Sequence, residues 1–251
     1  MKFEITEKMR EQFRKGRTVL KVSRTRSGAV KGAVGAGITF LVFALFSGLP
    51  FLISGMLGGM IFLVTMGVPG LIFLVTGKVM QARRGRAYLK FYGEESGYDE
   101  AVLRQAEQEL LMPQAVAVGG AKTGISCYIT ENFLVSVTKE ACYVRMLSDL
   151  CAAFYSERIP GDDGRIRGMV FISRQDIARE PQTNSLTYRQ CGGYINALLD
   201  REACALVTGE IQKHNPAVIV NQIFSDGQKT YDLLSLDRWT QDWEAILRVR
   251  R

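Results

Sequence analysis

Charge is missing from the stretch between Gly32 and Gly77. Those 46 residues contain no Asp, Glu, Lys, Arg or His, and Lys31 and Lys78 close the run. A helix crossing the hydrocarbon core of a bilayer needs about 20 apolar residues, so the run is roughly two spans long. A signal peptide is excluded, because its apolar core is only about 7–15 residues. The expectation is two transmembrane helices, near 33–53 and 58–77, joined by a very short turn. Ser54-Gly55-Met56-Leu57-Gly58-Gly59 divides the run most evenly, with Gly48-Leu49-Pro50 as the competing turn. Pro69 then falls inside the second helix, where a membrane tolerates it.

Histidine is almost absent too. His214 is the only one, and it stands beside a helix-ending Asn215-Pro216, where a solvated cation near a helix C-terminus is favoured. Five cysteines (Cys127, Cys142, Cys151, Cys191 and Cys204) form no C-x-x-C pair. An odd count without metal spacing predicts reduced thiols in a cytoplasmic domain. Gly119-Gly120-Ala121-Lys122-Thr123-Gly124 lacks the glycines of a Walker A loop at the required places and leads into strands, so a plain loop is expected. These shortages leave no catalytic residue, cofactor or metal site to assign. An enzyme assembled from scattered residues is the least favoured reading.

What charge there is lies beside the apolar run. Residues 1–31 hold ten Lys or Arg against three acidic residues, and residues 78–90 add five basic residues and no acid. The remaining 161 residues hold 17 basic and 22 acidic side chains. Basic residues close to a span stay on the cytoplasmic side. Both flanks are basic and two spans return the chain to its starting side. The expected protein is therefore a two-span cell-membrane protein with both termini cytoplasmic.

The organisation expected from these patterns has four parts: a basic arm (1–31), the hairpin (32–78), juxtamembrane helices (79–112) and an α+β domain (113–251). In the arm, Ile5, Met9 and Phe13 recur every four residues, with Leu20 near the same face. Lys8, Arg10, Arg14, Lys15 and Arg17 occupy the rest. That pattern predicts a basic amphipathic helix over 3–22, lying on anionic head groups. Lys78, Arg83, Arg84 and Arg86 extend the membrane-surface set on the far side of the hairpin. Nucleic acid is not expected as a partner, because the cations sit beside the bilayer. Gly28/Gly32 and Gly55/Gly59 have the small-xxx-small spacing of close helix approach, which allows a homo-oligomer.

Beyond the hairpin, Ser96 and Asp99 begin a helix of about 98–112, with Val102, Ala106 and Leu110 as its stripe. From 114 the period falls to two. Strands are expected at 114–118, 125–129, 133–137, 141–147 and 152–158. After an Asp162-Asp163-Gly164 turn another follows at 165–173, so the sheet is mainly antiparallel. A long helix carrying Ile195, Leu199, Ala203 and Leu206 runs to Ile211. A strand at 217–224 and an Asp226-Gly227 turn follow. A final helix over 237–250 carries Trp239 and Trp243, expected to be buried more than docking outward.

Three stretches carry a resemblance. They are Tyr128-Ile129-Thr130-Glu131-Asn132-Phe133-Leu134-Val135, Leu147-Ser148-Asp149-Leu150 leading into Ala153-Phe154-Tyr155, and the helix end His214-Asn215-Pro216. Over roughly 114–216 the chain resembles small bacterial membrane proteins whose cytoplasmic part is pleckstrin-homology-like: a bent antiparallel sheet closed by a helix. The resemblance carries no shared catalytic residues. It implies a membrane-anchored, non-enzymatic module that binds a protein or a lipid head group at the cytoplasmic face. An accessory subunit that uses the hairpin as its interface is the alternative.

Overall fold

The computed structural model describes residues 1–25, 28–53, 55, 57–120, 124–138, 142–161, 164–178 and 193–250. They form two units, one of Met1–Thr18 with Tyr92–Arg251 and one of Val19–Phe91. Chain order is β1 (Lys2–Phe3), α1 (Glu7–Arg14), α2 (Val19–Thr25), α3 (Gly28–Ile53), α4 (Leu57–Arg86), α5 (Tyr88–Ser96) and α6 (Glu100–Glu109). Strands β2 (Val116–Gly120), β3 (Gly124–Ile129), β4 (Phe133–Val137), β5 (Cys142–Met146), β6 (Leu150–Gly161) and β7 (Gly164–Ser173) follow. The rest is α7 (Arg174–Ala178), β8 (Tyr194–Asn196), α8 (Arg201–His214), β9 (Ile223–Ser225), β10 (Thr230–Asp232) and α9 (Trp239–Val249). The class is α+β, with antiparallel sheets and two long apolar helices.

The single arm helix expected over 3–22 is divided. Lys2 and Phe3 instead pair antiparallel with Val118 and Ala117. Thr6 caps α1 through its hydroxyl, which accepts from Met9 N. The helix ends where Gly16 takes φ +74°. Gly16 N then donates to Phe13 O, and Arg17 N to Gln12 O. That is the paired closure of a Schellman stop, which needs a residue tolerant of positive φ. The periodicity of the apolar residues continued across a glycine that the backbone uses as a full stop.

Three sheets build the larger unit: a five-stranded one ordered β1-β2-β3-β4-β5, a three-stranded one ordered β6-β7-β8 and a two-stranded one of β9 and β10. Strands β6 and β7 are buried on both faces. Ala153, Met169 and Phe171 join a core with Cys127, Ile129, Leu134 and the α8 residues Ala203, Cys204, Val207 and Ile211. The alternate residues Phe154, Val170 and Ile172 join a second core with Tyr231, Leu233, Trp243 and Ile246. Period-two alternation of side chains is what lets one strand serve two cores. Trp243 is fully buried there, as expected, while Trp239 is half-buried and donates from its indole nitrogen to Ile177 O.

Three sequence expectations fail in the second half. Ile195 lies in β8, paired with Val170, and is not on the long helix. That helix starts at Arg201, where the Asp200 carboxylate accepts from Ala203 N. Helix propensity up to residue 200 lost to the open edge of β7. The strand expected over 217–224 shrinks to β9 and one parallel bridge, Ala152 to Ile219. The helix end at His214 is as expected, and Asn215 explains it: its amide donates to Leu147 O and Leu150 O, tying the helix end to the start of β6. Asp162, Asp163 and Cys191 lie outside the described residues.

A charged cluster is buried where β5 meets β7. The Arg145 side chain is only 4% exposed, and it pairs with Asp176 at 3.3 Å. It also donates to Ser173 Oγ at 3.1 Å and to Val144 O at 2.9 Å. Asp176 further accepts from Tyr143 Oη at 2.6 Å and from Ser173 N and Oγ. Tyr143 stacks on Tyr194 with ring centroids 4.5 Å apart. Burial pushes the Tyr143 phenol up, and the adjacent Asp176 pushes it further, so it stays a donor. The outer edge of β5 is also closed. Val144 O takes the Arg145 guanidinium, and Met146 N donates to Tyr98 Oη, which in turn donates to Asp149. Capped edge groups cannot recruit another strand.

Glu109 fastens α6 to the β3–β4 turn. Its carboxylate accepts from Thr130 Oγ1, Asn132 N, Asn132 Nδ2 and Gln105 Nε2. Burial alone would raise this carboxyl, but those donors hold it below its ordinary value.

Removing one partner of the buried pair leaves an uncompensated charge. Asp176→Asn is expected to cost about 3–5 kcal/mol, read as a shift in denaturant midpoint by tryptophan fluorescence. A change under about 0.5 kcal/mol would show that Arg145 finds its compensation elsewhere. Glu109→Gln should cost on the order of 1 kcal/mol at neutral pH, the low end for charged hydrogen bonds because water reaches part of the carboxylate. A depressed carboxyl stabilises fully above its unfolded value and loses that contribution as pH falls through its folded value. The wild type should therefore lose stability relative to Glu109→Gln as pH falls below the ordinary carboxyl range; parallel curves for the two proteins would refute the assignment.

Candidate membrane-facing hairpin and its basic end

Helices α3 and α4 meet along a seam of glycines. A Cβ on Gly37 would stand 2.7 Å from Leu74 Cγ and 2.9 Å from Gly70 O. One on Gly77 would stand 2.7 Å from Val34 Cγ2, and one on Gly48 2.7 Å from Leu63 Cγ. These positions hold glycine because the two helices approach too closely for a side chain. Phe40 stacks on Phe73 at 5.9 Å beside the seam, and Phe43 tilts against Phe62 at 5.6 Å. Gly55, at φ +76°, lies in the turn. It falls within the turn expected from the sequence, and Pro50 and Pro69 both lie inside helices.

Outside the seam the surface is apolar all round. Within the most apolar window of each helix only 17% and 11% of residues are buried. Ile38, Phe43, Phe46, Phe51 and Ile53 are exposed on α3, as are Ile61, Val64, Leu71, Ile72 and Val75 on α4. A soluble monomer rarely exposes a contiguous apolar patch above a few hundred Å², and here two whole helices are uncovered. From Gly32 to Ile53 the helix rises about 33 Å, and from Leu57 to Gly77 about 31 Å, at 1.5 Å per residue. Both lengths suit a hydrocarbon core of about 30 Å. Both helices are long and apolar enough to cross a membrane.

The expected membrane-surface residues fall into two sets. In the larger unit, Arg10 is half-buried and spent on backbone, donating to Leu111 O at 2.7 Å and Ile5 O at 3.3 Å. Ile5 is buried, and Met9 and Phe13 are half-buried, so protein covers much of the stripe that the sequence assigned to lipid. Arg14 pairs with Glu7 and Lys15 with Glu11, both exposed. Lys8 and Arg17 are exposed. In the hairpin unit, Lys78, Arg83 and Arg86 are exposed and Arg84 is half-buried, all in the last turns of α4.

Sequence reasoning missed two cations of that second set. Helix α2 runs beside the end of α4: a Cβ on Gly85 would stand 3.3 Å from Thr25 Cγ2 and 3.7 Å from Lys21 Cε. Leu20 is fully buried, and the Arg24 guanidinium lies 3.6 Å over the Phe91 ring. Lys21 and Arg24 therefore belong with Lys78, Arg83, Arg84 and Arg86, at the end of the hairpin unit away from Gly55. The available signal was Gly16, which separates them from the arm, and Gly85, which makes room for them.

Cys127, Cys142, Cys151 and Cys204 are free and buried. Burial pushes the Cys204 thiol up to about 12 and that of Cys151 up to about 11. Gly119 and Gly124 join β2 to β3, where a Cβ on Gly119 would collide with Gly124 O, so close strand approach accounts for them. His214 is exposed at the helix end.

Filling the seam should separate the helices. Gly37→Val is expected to lower the melting temperature in detergent by several degrees, while Gly67→Val, whose Cβ meets nothing within 4 Å, should change it little. Equal effects at both positions would show that the seam does not hold the hairpin. No protein-family model matches the chain, and no curated protein or solved structure matches it either.

Proposed function

We propose that this chain is a membrane-anchored, non-enzymatic binding module whose sheet domain works at the cytoplasmic face. The observation that carries the reading is the hairpin: two apolar helices of spanning length, packed along a glycine seam with most of their described apolar side chains exposed. Basic residues at one end of the unit favour that end staying cytoplasmic. Because both chain crossings between the units, at 18/19 and 91/92, flank that end, the arm and the large domain share its compartment. Lys8 and Arg17 are exposed on the arm, where an anionic surface could reach them, while Arg14 and Lys15 are exposed but already paired with Glu7 and Glu11.

The domain supports a pleckstrin-homology-like reading by its order. Four antiparallel strands (β2–β5) are followed by three more (β6–β8) and then by the closing helix α8. Arg145, Asp176, Ser173 and Tyr143 spend their buried polar groups on one another, which suits a rigid scaffold. A fold of this kind hosts many functions, and the binding role rests on the anchor.

A second reading, a subunit held through its hairpin, is favoured by one observation. Gly28, Gly32 and Gly35 of α3 have nothing within 4 Å of where a Cβ would stand, leaving room for another helix.

Topology tests the first reading. Thr230 is exposed, so Thr230→Cys in a Cys191→Ser background gives an accessible thiol against buried native ones. In intact cells an impermeant maleimide should leave it unlabelled, and permeabilisation should expose it. The membrane fraction should retain the protein through alkaline carbonate. Labelling from outside would reverse the orientation; release by carbonate would remove the anchor.

A further inference from the structure

We propose that the basic end of the hairpin unit is a binding site for the phosphate of anionic phospholipid head groups, formed where α2 lies beside the end of α4. The inference rests on the membrane reading above. Its first support is arithmetic: residues 19–91 contain nine Lys or Arg and not one Asp or Glu. Massed like charge raises the energy of the compact state unless counter-anions gather.

The second support is placement. Lys21 and Arg24 come from before the hairpin, and Lys78, Arg83, Arg84 and Arg86 from its far end. Fully buried Leu20 and the close approach at Gly85 bring the two groups together on rigid helices. From Lys78 to Arg86 the helix rises about 12 Å, starting where the uncharged run stops. That is the depth at which head groups meet a spanning helix. The negative C-terminal end of α4 attracts cations within its last turn, for about 0.3–1 kcal/mol each. It does not account for Lys78 or for the cations of α2.

The third support is Arg24. Its guanidinium carbon lies 3.6 Å over the Phe91 ring. A stacked guanidinium keeps its N–H donors at the edge of its own plane, in the fork that matches two phosphate oxygens. Lysines alone would give attraction without such geometry.

The test uses the full chain in detergent with mixed phosphatidylcholine and phosphatidylglycerol, and native mass spectrometry to count retained lipids. Wild type should retain phosphatidylglycerol over phosphatidylcholine by about tenfold or more. Arg24→Gln, Arg83→Gln and Arg86→Gln combined should lose at least five-sixths of that preference while the melting temperature holds. Phe91→Leu alone, which keeps every charge but removes the stack, should lose part of it. Equal retention of the two lipids by wild type, or a triple variant that keeps its preference, overturns the site. Displacement of the lipid by 10 mM inorganic phosphate would also overturn it, as showing a site for free phosphate. If carbonate strips the chain from membranes, the anchored reading fails and takes this inference with it. If the chain stays in membranes yet shows no lipid preference, this inference fails alone.

Discussion

Forty-six consecutive residues without a charge impose the constraint on which the rest depends. Hydrophobic burial stabilises by about 25 cal/mol per Å² of apolar surface removed from water, and the glycine seam removes little. Glycines at Gly37, Gly48 and Gly77 bring the helices together, but they contribute contact without covering the outer faces. The surface that remains belongs to two helices long and apolar enough to cross a membrane. Once that is granted, the distribution of charge has a reason. Acidic residues are absent from the hairpin unit and abundant in the larger one, where they cap helices, hold turns and pair with cations.

The larger unit meets the opposite problem, how to keep a small α+β body rigid. Its answer is a pair of strands, β6 and β7, that serve two cores at once. Polar side chains fix the joints. Asn196 donates to Ser126 O and Ser136 Oγ, linking the three-stranded and five-stranded sheets, while Asn215 ties α8 to the β6 entrance. Arg145 and Asp176 do the same between β5 and α7. Replacing such a pair with apolar groups of equal volume is often neutral or stabilising. In this chain the guanidinium also closes the edge of β5, a second task that an apolar residue would not perform.

The sequence made some of this legible and hid the rest for identifiable reasons. Strand Phe133–Val137 and the Gly55 turn follow from local chemistry, and each stands where expected, whereas Ser96, expected to open the helix with Asp99, ends α5 and leaves Asp99 to cap α6 alone. Trp243 was readable as core from its helical face. The arm was misread because Ile5, Met9 and Phe13 satisfy a helical period, whereas pairing with β2 is a contact to residues more than a hundred positions away. Ile195 likewise has helical neighbours in sequence and a β7 partner in space. The burial of Arg145 was not legible, since alternation alone does not tell which face of a strand is covered. Lys21 and Arg24 were readable as basic but not as companions of α4, because Gly85 reveals its role only beside another helix.

The pairing of Lys2 and Phe3 with β2 also sets an order of events. Met1 donates from its ammonium to Gly119 O across 118 positions of chain. At about 5–20 residues per second, the partner strand leaves the ribosome on the order of ten seconds after the arm. The uncharged run emerges in between. A nascent arm therefore waits, unpaired, while the hairpin is made, and its cations are free during that interval. A contact between positions this far apart in the chain slows folding, because the loop between them must close before it forms.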